Sequence, residues 1–241
     1  MVGMAMAVAA ARQGFSVVVV EKTSMPAQLE PSFDGRVSAI AHGSALILDS
    51  IGVWEFMRPH AEPILDIRVS DGDTKFHVHY DHREVGKPFG YILENRHIRH
   101  GLHQAAAAYS HLRIIEQAEI TALQRNTRTA RATLSSGDTL TAQLLLACDG
   151  KSSPLRRMAG IDTIQKSYGQ TAIVCTIGHS KPHGGLAQER FLPAGPFAVL
   201  PMTANRSSLV WVEPDERVAI YTSLSEAEQR QEIAERVGDY L

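Results

Sequence analysis

The first twenty-one residues constrain this chain more than any others. Gly3, Ala5, Ala7, Ala9, Ala10 and Ala11 carry small side chains through a helical stretch, so its backbone can lie close against a sheet, and Gly14 is a natural stop. Ser16 then leads into Val17-Val18-Val19-Val20-Glu21, an uninterrupted β-branched run that fits a parallel strand buried on both faces. A signal peptide fits less well, because no basic segment precedes the apolar residues and Arg12 closes them.

Helix, glycine, buried strand and terminal acid together read as the second half of a βαβ dinucleotide-binding unit. In such a unit a Gly-rich turn joins the first strand to the helix, the helix N-terminus receives a pyrophosphate, and an acid after the second strand takes ribose hydroxyls. Gly3 takes the place of the third glycine of G-x-G-x-x-G and Glu21 that of the acid; the first strand and first two glycines do not precede them in the sequence. On these residues alone an ordinary helix and strand stays open as the alternative.

A chain of 241 residues makes one large or two modest domains, and 44% apolar with 21% charged residues is ordinary globular composition. A formal charge of -2 argues against a nucleic-acid surface. Cys148 and Cys175 stand far apart in apolar runs and read as buried thiols in a reducing compartment. The apolar runs are too short to span a bilayer.

Three further segments carry chemistry. The first is Asp34-Gly35-Arg36-Val37-Ser38-Ala39-Ile40, continuing to Gly52-Val53-Trp54. The second runs from Leu144 through Asp149-Gly150 to Arg156: a buried-strand pattern whose carboxyl end is where open α/β sheets bind ligands. Ser152 or Ser153 can cap the helix that follows, with Pro154 in its first turn, and Arg156 beside that terminus favours phosphate oxygens. The third is Glu189-Arg190-Phe191-Leu192-Pro193 with Gly195-Pro196 and Leu200-Pro201.

In this order the segments resemble the D-G-R-x-x-A-[LI] and E-R-F-x-P-x-G-P-x-A-x-L-P stretches of the flavin hydroxylases of ubiquinone biosynthesis, and the D-G-x-x-S-x-x-R motif of the wider aromatic hydroxylase class. The resemblance covers essentially the whole chain. It implies an α/β fold, FAD-binding and Rossmann-like of the aromatic hydroxylase type, with an inserted antiparallel β-sheet substrate domain. Residues 1–68 and 95–160 would form the FAD-binding domain; 69–94 and 161–241 would form the substrate domain and a C-terminal helix. The implied reaction is hydroxylation of the aromatic ring of a polyprenyl phenol, using FAD, NAD(P)H as a transient electron donor, and O2. Gly3, Glu21, Arg36, Asn95, Asp149, Gly150 and Arg156 are the implied cofactor-binding residues, and Phe191, Pro193, Phe197 and Leu200 the implied walls of the substrate pocket. Other ubiquinone-biosynthesis proteins are implied partners, and an oily substrate implies a cytoplasmic protein in peripheral contact with the inner membrane. The family's Gly-rich turn and its G-D-x-x-H-x-x-x-P-x-x-G-x-G segment are not in the sequence. The chain as given is therefore expected to expose a sheet edge, to be poorly soluble and to purify without flavin colour. An inactive fragment or scaffold module of a hydroxylase complex is the alternative.

Between these segments, 44–56 and 95–108 read as helices, 64–93 and 113–146 as strands, and Ser225 with Glu228 as the capping box of a last helix bearing Ile233, Val237 and Leu241. The histidines at 97, 100 and 103, and at 77, 79 and 82, suggest metal ligation, but no nearby acid or cysteine in the sequence completes a set, so no metal is expected.

Overall fold

The computed structural model describes residues 1–30, 32–72, 74 and 76–238, so Leu241 lies outside the described residues. In chain order the strands are β1 (Val17–Val20), β2 (Val37–Ala41), β3 (Glu62–Ile64), β4 (Asp66–Asp71), β5 (His77–Asp81), β6 (Gly90–Glu94), β7 (Leu112–Ile115), β8 (Ile120–Arg125), β9 (Ala130–Leu134), β10 (Thr139–Ala142), β11 (Gln170–Gly178), β12 (Leu186–Leu192), β13 (Gly195–Met202) and β14 (Arg206–Pro214). The chain divides into two compact units. One comprises Met1–Ser32, Leu48–Phe56 and Arg96–Gln165; the other comprises Phe33–Ile47, Met57–Asn95 and Lys166–Leu241. Residues 33–47 and 57–68, grouped from sequence with the FAD-binding part, pack in the second unit, and the boundary drawn at 68 cuts through β4.

In the first unit the Val2–Arg12 helix buries Met4, Ala7, Val8 and Ala11, a spacing of three and four residues that lines one helical face. The valine run is the strand β1, paired in parallel with β7 from Val17 opposite Leu112 to Val20 opposite Ile115, but Val18 is exposed, so the strand is not buried on both faces as expected. The Asn95–Ala106 helix buries Ile98, Leu102, Ala105 and Ala106. An antiparallel meander, in the order β10-β9-β8, completes this unit.

Three sequence expectations are corrected here. Leu144–Ala147 is not a strand and does not join β1 in a parallel sheet. An apolar run becomes a buried strand only where layers cover both its faces, and Leu144 is 71% exposed. Cys148 at the end of that run is consequently exposed as well, not buried. The helix expected over 44–56 ends at Ser50, because Gly52 takes a positive φ of 75° and its N–H turns back to the Asp49 carbonyl; a separate turn of helix follows at Trp54–Met57.

The second unit holds two sheets. The smaller is antiparallel, in the order β2-β6-β3; the larger runs β11-β14-β13-β12-β4-β5 and is antiparallel except where β12 pairs with β4. One face of the larger sheet is closed by Phe197, Val199, Leu209 and Trp211 packing with Tyr221 and with Ile233 and Val237 of the Glu226–Val237 helix. That helix begins with the expected capping box, Ser225 and Glu228 reciprocally bonded. On the other face Ala187, Leu200 and Met202 pack with Ile64 and Ile92 of the smaller sheet.

A charged cluster locks the closed face. The Arg236 guanidinium lies 4.0 Å from the Trp211 ring centroid and 3.6 Å from Glu213 Oε1, while the Trp211 indole N–H donates to the same oxygen at 2.7 Å. Glu213 is 2% exposed, so removing either partner leaves a buried acid short of a contact. Arg236→Ala is expected to lower unfolding free energy by about 3 kcal/mol, with Glu213→Gln in the same background recovering part of the loss in urea denaturation. Two glycines make a contrasting pair. A Cβ on Gly90 would fall 2.6 Å from the Ile40 carbonyl oxygen, whereas one on Gly43, within the His42–Ser50 helix, meets nothing within 4 Å. Gly90→Ala should destabilise by about 1–3 kcal/mol and Gly43→Ala should stabilise by about 0.5 kcal/mol, as read by the same denaturation series.

Candidate functional site

In the first unit Cys148, which leads into Asp149 and Gly150, lies against Gly3 in the opening helix. A Cβ placed on Gly3 would lie 3.3 Å from Cys148 Cβ, so the 144–148 run crosses the first turn of the Val2–Arg12 helix at a separation suited to glycine. That turn carries no acidic residue, and its positive dipole end favours an anion. Gly150 follows with φ of 91°, a conformation that an L side chain resists.

Asp149 is used locally. Its Oδ1 accepts from Ser153 Oγ and its Oδ2 from the Leu155 N–H at 3.1 Å, while Ser153 Oγ accepts from the Arg156 N–H at 2.9 Å. Burial works against the charge, yet these hydrogen bonds hold the carboxyl below its ordinary range. Asp149 therefore shapes the loop that presents Gly150. Arg156 lines a cavity of about 510 Å³ together with Gly150, Ser153, Arg125 and Arg128. The two further arginines flank the β8–β9 turn and went unnoticed in the sequence, where the signal was only a basic turn around Asn126.

Glu21 stands at the carboxyl end of β1, half-buried, with Oε1 accepting from the Thr23 N–H at 2.9 Å. This is the strand end at which open α/β sheets bind ligands.

The second unit brings Arg36 and Asn95 together. The Asn95 N–H donates to the Arg36 carbonyl at 3.0 Å where β2 meets β6, and the Ser38 hydroxyl donates to Asn95 Oδ1 at 2.7 Å, which fixes the buried amide. The Arg36 guanidinium is exposed and held by Asp34 at 2.6 Å.

The four expected pocket residues do not share a surface. In the β12–β13 ladder Phe191 faces Pro196, Arg190 faces Phe197 and Gln188 faces Val199. Directly paired residues lie on one side of a sheet, so Phe191 and Leu200 look one way and Phe197 the other. Phe197 is 1% exposed in the closed core and walls no pocket, which corrects its assignment. Pro193 occupies the exposed two-residue turn between Leu192 and Gly195. Phe191 remains 49% exposed. On its side lie Val69 and Val78 of β4 and β5 and Glu189 of β12 itself, a residue read in the sequence only as part of its motif.

The histidine expectation also changes. The fold brings Asp66 and Asp81 beside His82, with one ligand atom from each within 4.8 Å of the others. Both Asp81 oxygens already bind Arg83, whose Nε lies at 2.9 and 2.8 Å, which holds the Asp81 carboxyl far below its ordinary range.

Residues 1–240 match the FAD binding domain family. The ubiquinone hydroxylase UbiL of Rhodospirillum rubrum is 42% identical over 241 residues, all of this chain and 56% of that protein. The 3-demethoxyubiquinol 3-hydroxylase of Escherichia coli is 30% identical over 244 residues, 100% of this chain and 62% of that protein. The chain thus spans little more than half the length of these relatives. Among solved structures, PqsL, described as a probable FAD-dependent monooxygenase from Pseudomonas aeruginosa, superposes with a TM-score of 0.81 at 19% identity over 98% of this chain and 65% of that one. No helix among the described residues is long and apolar enough to cross a membrane. The chain belongs to the FAD binding domain family, has the α/β fold of the aromatic hydroxylases, and resembles the ubiquinone-biosynthesis hydroxylases along its whole length.

Proposed function

We propose that this chain carries the FAD-contacting elements and the substrate sheet of a monooxygenase that hydroxylates the aromatic ring of a polyprenyl phenol in ubiquinone biosynthesis, with NAD(P)H as electron donor and O2 as co-substrate. The observation that carries the reading is the close crossing at Gly3, where a side chain would meet Cys148 beside the uncapped helix start and the Gly150 loop. A close approach that favours glycine, beside a helix N-terminus, suits a pyrophosphate.

The residues fit FAD in that arrangement. The first turn of the Val2–Arg12 helix and Gly150 would take pyrophosphate oxygens, with Arg156 adding positive charge. Glu21 would accept ribose hydroxyls, and the family resemblance, not the geometry, assigns Arg36 and Asn95 to the cofactor. Bound FAD supplies the redox chemistry, and the protein's work is to bind, orient and exclude water. Phe191 and Leu200 would support the substrate ring, and the exposed Val78 and Tyr80 on the same face suit a prenyl chain. Such a substrate favours a cytoplasmic protein in peripheral contact with the inner membrane, alongside other ubiquinone-biosynthesis proteins.

Flavin fluorescence titration tests the reading on this chain. Glu21→Ala is expected to weaken FAD binding about tenfold or more, the value of a hydrogen bond to a charged group, and Gly3→Val should do the same by blocking the crossing. Glu119→Ala, which removes only an exposed ion pair with Lys22, should leave it unchanged. Equal affinities across the four proteins would overturn the proposal.

A further inference from the structure

Glu189 is out of keeping with its surroundings. It sits on β12, an interior strand of the six-stranded sheet, and its lateral partners on the same face are Val69 of β4 and Ala198 of β13. Along β12 its neighbours on that face are Ala187, buried under the smaller sheet, and Phe191, open to solvent. Glu189 therefore stands at the step where the cover of the smaller sheet gives out.

No hydrogen bond or ion pair engages its carboxylate among the described residues. Arg68 and Arg190, on the flanking positions of β4 and β12, point to the opposite face. Arg206, which shares the Glu189 face, is held by Glu94 at 2.6 Å. The other titratable groups directed to this side are Asp71 beside Phe191, Tyr80 opposite Ile67, and Glu62 of the smaller sheet, which approaches His183. None supplies Glu189 with a cation. Burial alone pushes its carboxyl above the ordinary carboxylate range.

A half-buried charge among apolar neighbours costs stability unless a partner arrives. Around it stand the apolar side chains of Val69, Ala198 and Phe191, and its carboxylate is the acceptor set among them. The ligand complementary to that pattern is an aromatic ring bearing a hydroxyl donor, with an apolar substituent running toward Val78 and Tyr80. We propose that Glu189 is the polar anchor that receives the phenolic hydroxyl of the substrate and sets the orientation of its ring on the open face of the sheet. This rests on the monooxygenase reading above. An anchor of this kind discriminates by the group it would leave unpaired: a ring without the hydroxyl leaves the carboxylate buried and unsatisfied.

Calorimetric binding of 2-prenylphenol and of its methyl ether, 2-prenylanisole, to the chain separates the two readings. The wild type is expected to prefer the phenol by about tenfold or more. Glu189→Leu should abolish the preference by weakening phenol binding while leaving or improving anisole binding, and Glu189→Gln should retain part of it. A purely structural role would weaken both ligands alike, and circular dichroism melts of the variants identify any that fail to fold. A phenol preference that survives in a folded Glu189→Leu protein, a wild type that binds both ligands equally, or parallel loss of both ligands overturns the assignment of Glu189 and leaves the monooxygenase reading in place. Failure of the wild type to bind either ligand overturns the monooxygenase reading, and this assignment with it.

Discussion

The register of β12 against β13 decides what the second unit can present. Leu192 pairs with Gly195 across a two-residue turn, so every residue of β12 is matched to a residue of opposite parity on β13. That single alignment sends Arg190, Phe197 and Val199 into the helix-covered core and Glu189, Phe191, Ala198 and Leu200 to the other side. A slip of β12 by one residue would turn Glu189 into the helix-covered core and Arg190 out of it. Gly195 fits this turn closely: its φ is 151°, and a Cβ there would fall 2.6 Å from Val212 Cγ1, so the start of β13 can sit tight against β14.

Much of this was legible beforehand. The β-branched run at 17–20, the alternating segments between 64 and 93, and the capping box at Ser225 are local patterns, and local patterns survive into the structure because their physics is local. Phe191 and Phe197 were grouped because they share a motif. The turn length needed to separate them was also in the sequence, since Pro193-Ala194 between two strand-like segments inverts parity. The chemistry of Glu189 was hidden for another reason: its environment is made by Val69 and Ala198, one more than a hundred residues away, and no periodicity within β12 could announce them.

The run at 144–148 teaches the converse. Its composition matches the valine run of β1, yet one is a strand and the other is not. The difference is neighbours: β1 has β7 beside it and the Val2–Arg12 helix over it, whereas Leu144 and Leu146 lie open. Apolar composition reports what a segment could bury, and pairing reports what it does bury. What the 144–148 run retains is its position across Gly3, and that proximity, not strand character, places the Asp149–Gly150 loop at the helix start.

The two faces of the larger sheet treat charge differently, and the contrast separates structural groups from those open to a ligand. On the closed face Glu213 Oε1 is met by Trp211 and Arg236, and Arg190 donates to the Arg236 carbonyl at 2.5 Å, so the buried acid there has a cation and a donor within the fold. Such groups hold the Glu226–Val237 helix in one position. On the open face the same interior strand carries an acid with apolar neighbours and no cation. Desolvation raises the cost of that acid in the empty sheet and increases what a hydrogen-bond donor gains by reaching it, so the energetic defect and the capacity to bind are one property of the same side chain.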